Sequence, residues 1–150
     1  MTRRLLFSMV LLYVVAGTQL LGGLYDILTP MPPFHETFLG ASQEQLDPRV
    51  VKLDLAQMDA IGGLLIASGL TVIVLVSGPF RRGDRSASLA ILLLVVVGQA
   101  GNSFGMYKVG SPYWVPLVEI GLTLLALRIA SLSRRRRARR SALHLGLPRR

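Results

Sequence analysis

Four long apolar runs constrain this chain more than any other feature of its sequence. They span residues 5–28, 55–77, 87–109 and 115–132. Each run reaches or approaches the roughly 20 residues that an α-helix needs to cross a hydrocarbon core of about 30 Å. Such runs form helices, because a backbone in lipid has to satisfy its own hydrogen bonds. The sequence therefore predicts an all-α, polytopic membrane protein, folded as an antiparallel four-helix transmembrane bundle.

The composition favours lipid over water as the surroundings of these helices. The mean hydropathy is +0.51, and residues 64–76 and 89–97 are apolar or small almost all the way round. A soluble helix would show one polar face, so a buried soluble hairpin is the weaker alternative. The first run continues to Leu28, well past the roughly 7–15 apolar residues of a signal peptide. We therefore expect this first helix to be retained.

The formal charge of +9 belongs mostly to the C-terminal segment 133–150, which holds eight arginines and no acid. The rest of the chain has nine basic and eight acidic residues. We predict a disordered cytoplasmic tail that lies against anionic lipid headgroups, which attract basic segments near the membrane. Nucleic-acid binding is the alternative, but the segment has no interleaved aromatic residues and no recognisable module. We therefore expect no nucleic-acid partner.

The distribution of basic residues predicts the orientation of the bundle. Fourteen lysines and arginines fall on the side of the termini and the second connection, against three on the other side. The positive-inside rule then places both termini in the cytoplasm. We expect the protein to lie in a cell (inner or plasma) membrane. Residues 29–54 form the only sizeable external segment, in which Pro30–Pro33 ends helix one and Ser42–Leu46 can form one short helical turn.

Polar side chains inside the predicted helices are costly and therefore point to a function. They concentrate in the outer halves of the helices. Glycines at helical spacing share faces with them and allow close helix contacts. The pairs Gly22-Gly23 and Gly62-Gly63 do so on helices one and two, and Gly101 and Gly105 on helix three. The candidate ligand-binding residues of the resulting outer pocket are Gln19, Asp26, Asp59, Gln99, Asn102 and Glu119.

Three interpretations of the two strongest groups, Asp59 and Glu119, remain open at this point. Both can be interfacial acids that face headgroups or water, since each lies about 6–9 Å from its helix start. One of them can pair with Lys108 and only fix the helix register. As a third possibility, the acids form a site for a proton or a cationic ligand.

The sequence lacks the residues that several kinds of functional site require. The chain has no cysteine, which excludes disulfides, thiolate metal sites and cysteine nucleophiles. His35 and His144 lie outside the predicted spans, which argues against a haem held between helices. No catalytic triad spacing, glycine-rich phosphate loop or metal motif is present. We therefore expect no cofactor, no metal and no enzymatic activity.

The stretch Met58-Asp59-Ala60-Ile61-Gly62-Gly63-Leu64-Leu65, continuing to Gly69-Leu70, resembles the start of helix two in the DoxX-like proteins. These are small four-helix bacterial membrane proteins, mostly of unknown function. The stretches Gly98-Gln99-Ala100-Gly101-Asn102 and Gly110-Ser111-Pro112, followed by Glu119, are similar to their third helix, outer turn and fourth helix. The resemblance covers about residues 5–132 and does not include the arginine-rich tail.

The resemblance implies a partner role, because some DoxX-like proteins are membrane subunits of oxidoreductase assemblies. One departure concerns the outer turn. Related sequences often carry an arginine at the position of Asn102 and an acid at the position of Val109. A charged pair of that family is therefore absent from this chain.

Three functions follow as hypotheses. The first is a non-enzymatic accessory subunit or small-ligand-binding module, acting with a membrane-protein partner or as a homo-oligomer. The second is a small proton-coupled exporter of cationic compounds. Such exporters carry a glutamate in the middle of their first helix, whereas helix one of this chain has only Gln19 and the terminal Asp26. The third, a lipid-modifying enzyme, lacks a clustered nucleophile and base.

Overall fold

The structure, a computed structural model, describes the backbone of residues 3–144 and the side chains of residues 3–134. These residues form helices and no strand, and four of the helices are long and apolar enough to cross a membrane. The predicted all-α four-helix bundle is thereby confirmed. The helices are α1 (Arg3–Leu28), α2 (Pro33–Leu39), α3 (Pro48–Leu75), α4 (Arg85–Lys108) and α5 (Trp114–His144).

Helix α3 is longer than predicted at both ends. It begins at Pro48 rather than at residue 55, because the Asp47 side chain accepts the first free backbone N–H and proline suits the first helical position. At its other end it continues through a wide π-turn, Val76–Phe80, which contains Pro79. The predicted connection of residues 78–86 is therefore reduced to a tight turn at Gly83, whose φ is +95°.

Helix α5 also extends beyond its predicted end at residue 132. The backbone stays helical to His144, so residues 133–144 are not the disordered segment that the sequence predicts. The last part of the predicted tail, residues 145–150, lies outside the described residues.

The long connection at residues 29–47 contains more structure than expected. Its predicted turn is confirmed as a 3₁₀-turn, Gln43–Gln45, capped by Ser42. The short helix α2 was not predicted; it begins at Pro33 and ends at Leu39, and the following Gly40 terminates it with a φ of +70°. The His35 Nδ1 atom lies 2.9 Å from Asp54 Oδ2, which ties this connection to α3.

Helix α1 occupies the centre of the bundle. It packs along both α3 and α5, α4 packs along α5, and α3 and α4 make few contacts with each other. We call the end with the start of α1 and the α3–α4 turn the basic end. It carries Arg3, Arg4, Arg81, Arg82 and Arg85. The opposite end, with residues 29–47, is the loop end.

The buried apolar core fills the half of the bundle nearer the basic end. Its largest fully buried side chains include Leu12, Val72, Phe80 and Ile91, one or more from each of α1, α3 with its π-turn, and α4. The Ser8 hydroxyl donates to the Ala126 carbonyl and so joins α1 to α5 within this core. Most of the buried polar side chains lie in the other half, as the depth pattern of the sequence predicts.

Close contacts between helices involve only some of the predicted glycines. Gly23 and Gly62 face each other so closely that a Cβ on either would lie within 2.6 Å of the partner's carbonyl oxygen. Gly69 meets the Ala16 carbonyl in the same way. Gly63, Gly101 and Gly105, in contrast, have open space around them. The expectation that the α4 glycines mediate close packing is therefore wrong for the single chain.

Asp84 begins α4 and yields a pH-dependent prediction. Its carboxylate accepts hydrogen bonds from the Ser86 hydroxyl and backbone N–H, both at 2.8 Å, and these bonds lower the pKa of Asp84 below its ordinary value. Its contribution to stability is therefore complete above about pH 4 and lost as the pH falls through the lowered pKa.

We expect Asp84→Ala to lower the midpoint of thermal unfolding at neutral pH and to have a much smaller effect at a pH low enough to protonate the Asp84 carboxyl in the folded protein. Asp84→Ser is the matched variant, because a serine can cap the helix without a titrating group. An Asp84→Ala effect of the same size at both pH values would contradict the assignment.

Candidate functional site

Three buried polar side chains from three helices meet in the loop-end half of the bundle. Gln19 lies on α1, Gln99 on α4 and Glu119 on α5, and their exposed fractions are 1%, 3% and 6%. Gln99 Nε2 donates to Glu119 Oε2 at 2.7 Å, and Gln19 Nε2 donates to the same oxygen at 3.3 Å. We call these three residues the Glu119 cluster. In this cluster the side-chain polar groups of three predicted site residues are in contact.

Asn102 is attached to the Glu119 cluster but does not touch the carboxyl. Its Nδ2 atom donates to Gln99 Oε1 at 3.3 Å, one helical turn along α4. This contact fixes the orientation of the Gln99 amide, so that its nitrogen points at Glu119. Asn102 is half-buried and therefore acts as a support between the cluster and the loop end.

The hydrogen-bonding groups of the Glu119 cluster are not balanced. The Glu119 carboxyl has no lysine or arginine within ion-pair distance among the side chains of residues 3–134. The Gln19 Oε1 atom is buried and has no hydrogen-bond partner. Buried polar atoms are nearly always paired, so an unpaired acceptor beside a buried carboxyl marks a site that lacks a hydrogen-bond donor.

A second unpaired polar group, a hydroxyl that can donate or accept, lies one turn farther into the bundle. Thr123 follows Glu119 by four residues on α5 and is fully buried, and its hydroxyl has no partner. Residues four apart share a helical face, so Thr123 continues the polar face of Glu119 toward the apolar core. Sequence reasoning missed Thr123, although its spacing from Glu119 is a signal that could have found it.

Asp59 lies apart from the Glu119 cluster. Its side chain is exposed on α3, where it lines an open groove of about 560 Å³ between α3 and residues 43–46 of the connection. Glu44 and Lys52 line the same groove. The structure therefore does not bring Asp59 and Glu119 into the one pocket that the sequence predicts.

Asp26 is also separate from the cluster. It is half-buried near the end of α1, and it interacts electrostatically with His35 on α2. His35 in turn contacts Asp54 on α3. These three residues belong to the packing of the connection against the bundle, and neither His35 nor Asp54 was predicted, since no fixed spacing links them.

The predicted pairing of an acid with Lys108 is not observed. The Lys108 Nζ atom lies 4.4 Å from the centre of the Phe104 ring on the same helix, a cation–π contact at the loop end. Within residues 3–134, the one carboxylate found within ion-pair distance of a basic side chain is that of Asp54 beside His35. Glu119 is thus a buried carboxyl held by amides instead of by a cation.

The described part of the chain has no group of three or more histidine, aspartate or glutamate side chains arranged to hold a metal ion. The chemistry available at the Glu119 cluster is that of a buried carboxyl group and two amides, with one acceptor atom, Gln19 Oε1, left unpaired. Comparisons of the chain with known protein families, with curated proteins and with solved structures find no match.

Proposed function

We propose that this chain is a non-enzymatic membrane module whose Glu119 cluster binds a small hydrogen-bond donor. The ligand class is a proton or the ammonium group of a small amine. One observation carries the proposal: the buried Glu119 carboxyl is held by two amide donors and has no cation partner among the described side chains.

The unpaired hydrogen-bond acceptors of the site support a hydrogen-bond donor as its ligand. A proton on Glu119 would let the Gln19 amide turn its oxygen toward the carboxyl and so pair the free Oε1 atom. An ammonium group would offer three donors to the carboxylate, to Gln19 Oε1 and to the Thr123 hydroxyl. Charge-assisted hydrogen bonds of this kind are about twice as strong as neutral ones, and a dry site would retain that strength.

The layout of the chain supports a role as an accessory module. Nearly all of its described residues lie in or against the four long helices, so the bundle offers few groups outside the membrane for chemistry. The resemblance to DoxX-like proteins adds the proposal of a membrane-protein partner. The location in a cell membrane stays a prediction, as do the cytoplasmic termini, which rest on the charge distribution.

The binding proposal is tested with Glu119→Gln, using Asp59→Asn as the matched control. Both changes remove one carboxylate, but only the first lies in the Glu119 cluster. The midpoint of thermal unfolding is measured in detergent with butylammonium chloride and with sodium chloride at equal ionic strength. We expect butylammonium to raise the midpoint of the wild type and of Asp59→Asn, and not that of Glu119→Gln.

Two results would count against the binding proposal. Equal stabilisation of all three proteins by butylammonium would place the amine elsewhere. No stabilisation of the wild type, together with a midpoint that does not depend on pH near the titration of a carboxyl, would leave the cluster a purely structural element.

Proton-coupled export of cationic compounds is the second candidate. It is favoured by the position of Glu119, since such a mechanism needs a carboxyl inside the bundle, and this carboxyl contacts Gln19 in the middle of α1. Cells expressing the chain should then tolerate quaternary ammonium compounds better than cells expressing Glu119→Gln. Equal tolerance would refute export while leaving amine binding unaffected, because binding is measured on the purified protein.

A further inference from the structure

A separate groove lies at the basic end, between the start of α1 and the end of the transmembrane part of α5. It has a volume of about 450 Å³ and is lined by Arg3, Arg4, Phe7, Ile129 and Leu132. This volume falls within the roughly 300–1,000 Å³ of small-molecule clefts. None of these five residues belongs to the Glu119 cluster, so the groove is independent of the proposed amine site.

Charge and apolarity are separated along the groove. Arg3 and Arg4 stand at the first turn of α1, and Phe7 follows one turn deeper, about 6 Å along the helix axis. Ile129 and Leu132 supply an apolar wall from α5. The groove thus has a doubly positive mouth and an apolar floor that faces the hydrocarbon.

The two arginines at the mouth are free to bind an anion. Neither makes an ion pair with a carboxylate among the side chains of residues 3–134, and both are exposed. Arg134, at the same end, is engaged differently: its Nη2 atom donates to Ser88 at 3.1 Å, and its guanidinium lies 5.3 Å from the centre of the Phe80 ring. At the basic end, the Arg134 guanidinium therefore has partners within the protein, whereas those of Arg3 and Arg4 make no ion pair with a described carboxylate.

We propose that this groove binds one anionic phospholipid. The phosphate lies between Arg3 and Arg4, and an acyl chain runs along Phe7, Ile129 and Leu132. Guanidinium groups match phosphate oxygens in charge and geometry, and the apolar floor suits the chain that is attached to that phosphate. Basic pockets between transmembrane helices are known places for anionic headgroups.

Binding in the groove has to be distinguished from general attraction of anionic lipid to a basic surface. The chain provides a matched control for this distinction. Arg81 and Arg82 are exposed at the same end of the bundle but do not line the groove. The double variant Arg3→Gln/Arg4→Gln and the double variant Arg81→Gln/Arg82→Gln remove the same charge from the same end. Only the first removes it from the groove.

The full-length chain and both variants are purified in mild detergent and titrated with dioleoyl phosphatidylglycerol, with dioleoyl phosphatidylcholine as the neutral lipid. Bound lipid is counted by native mass spectrometry. We expect one tightly held phosphatidylglycerol on the wild type. Each basic residue near an anionic headgroup contributes about fivefold to binding, so the Arg3/Arg4 variant should bind it roughly 25-fold more weakly. The Arg81/Arg82 variant should bind it as the wild type does.

A second pair of variants tests the apolar floor. Phe7→Ala removes a ring from the groove, whereas Phe104→Ala removes a similarly exposed ring from α4 far from it (exposed fractions 53% and 61%). We expect Phe7→Ala to weaken phosphatidylglycerol binding several-fold and Phe104→Ala to leave it unchanged. Equal losses in the two arginine variants, or equal affinity for the two lipids in the wild type, would overturn the proposal.

Discussion

Gly62→Ala is expected to destabilise the bundle by about 3 kcal/mol, within the range of overpacked cores, whereas Gly63→Ala should stabilise it slightly. The two residues are neighbours on α3, and alanine is the better helix former by about 1 kcal/mol at either position. They differ only in what a methyl group would meet. The measurement is the free energy of unfolding of each variant in detergent.

The expected loss at Gly62 comes from backbone contact. A Cβ at this position would lie 2.6 Å from the Gly23 carbonyl oxygen and 2.8 Å from Ile27 Cγ1. The first of these atoms belongs to the backbone of α1 and cannot turn aside, so the two helices would have to separate. At Gly63 no atom lies within 4 Å of the added carbon, and only the gain in helix propensity remains.

Separation of α1 and α3 would affect a second contact. Ala16 and Gly23 are seven residues apart on α1, as are Gly62 and Gly69 on α3, and the pairs meet as Gly23–Gly62 and Ala16–Gly69. Two close contacts about 10 Å apart along the helices fix the register. In lipid, where the hydrophobic effect does not drive helix association, such packing is a main source of stability. Equal effects of the Gly62 and Gly63 substitutions would contradict this account.

The same contact explains why the position of Asp59 could not be predicted from the sequence. Either glycine of the adjacent pair Gly62-Gly63 could form the close contact with α1, and the two glycines lie on faces of α3 about 100° apart. The structure uses the face of Met58, Gly62 and Gly69, which is buried against α1. Asp59 shares a face with Gly63 and is therefore exposed. Only the packing against Gly23 decides between the two faces.

The spans were predictable because apolarity over 20 residues is a property of one segment alone. The Glu119 cluster was predictable only in part. Depth along each helix placed Gln19, Gln99 and Glu119 in the outer halves of their helices, and the structure shows that these three side chains meet. Their meeting also depends on α5 lying between α1 and α4, and this order of helices is not encoded in any local pattern. The start of α3 at Pro48 was missed because Arg49, Lys52 and Asp54 interrupt the apolar residues of its first two turns.

Glu119→Ala should be the second large effect, with a loss of about 3 kcal/mol in the free energy of unfolding. The substitution leaves the Gln19 and Gln99 amide nitrogens buried without an acceptor, at about 1–3 kcal/mol for each unpaired group. Asp59→Ala is the control, since an exposed acid outside any network should change stability by less than about 0.5 kcal/mol.

Glu119→Gln separates hydrogen bonding from charge at the same position. The new amide oxygen can accept from Gln99, and its nitrogen can donate to the unpaired Oε1 atom of Gln19. This arrangement reproduces the hydrogen bonds of a protonated glutamate, so stability should stay within about 1 kcal/mol of the wild type. A Glu119→Gln protein as unstable as Glu119→Ala would mean that the cluster requires the negative charge.

The double substitution Gln99→Ala/Glu119→Ala then measures the coupling inside the cluster. Glu119→Ala alone leaves two amide donors unpaired, and the removal of Gln99 takes one of them away. The double variant should therefore lose less stability than the two single variants together, by roughly 0.5–3 kcal/mol. Strict additivity would mean that the 2.7 Å contact between Gln99 and Glu119 contributes nothing to stability. A strong coupling between Gln99 and Glu119, together with an unchanged stability of Glu119→Gln, would mean that the cluster is stable when Glu119 is protonated. A site that binds and releases a proton has to be stable in that form.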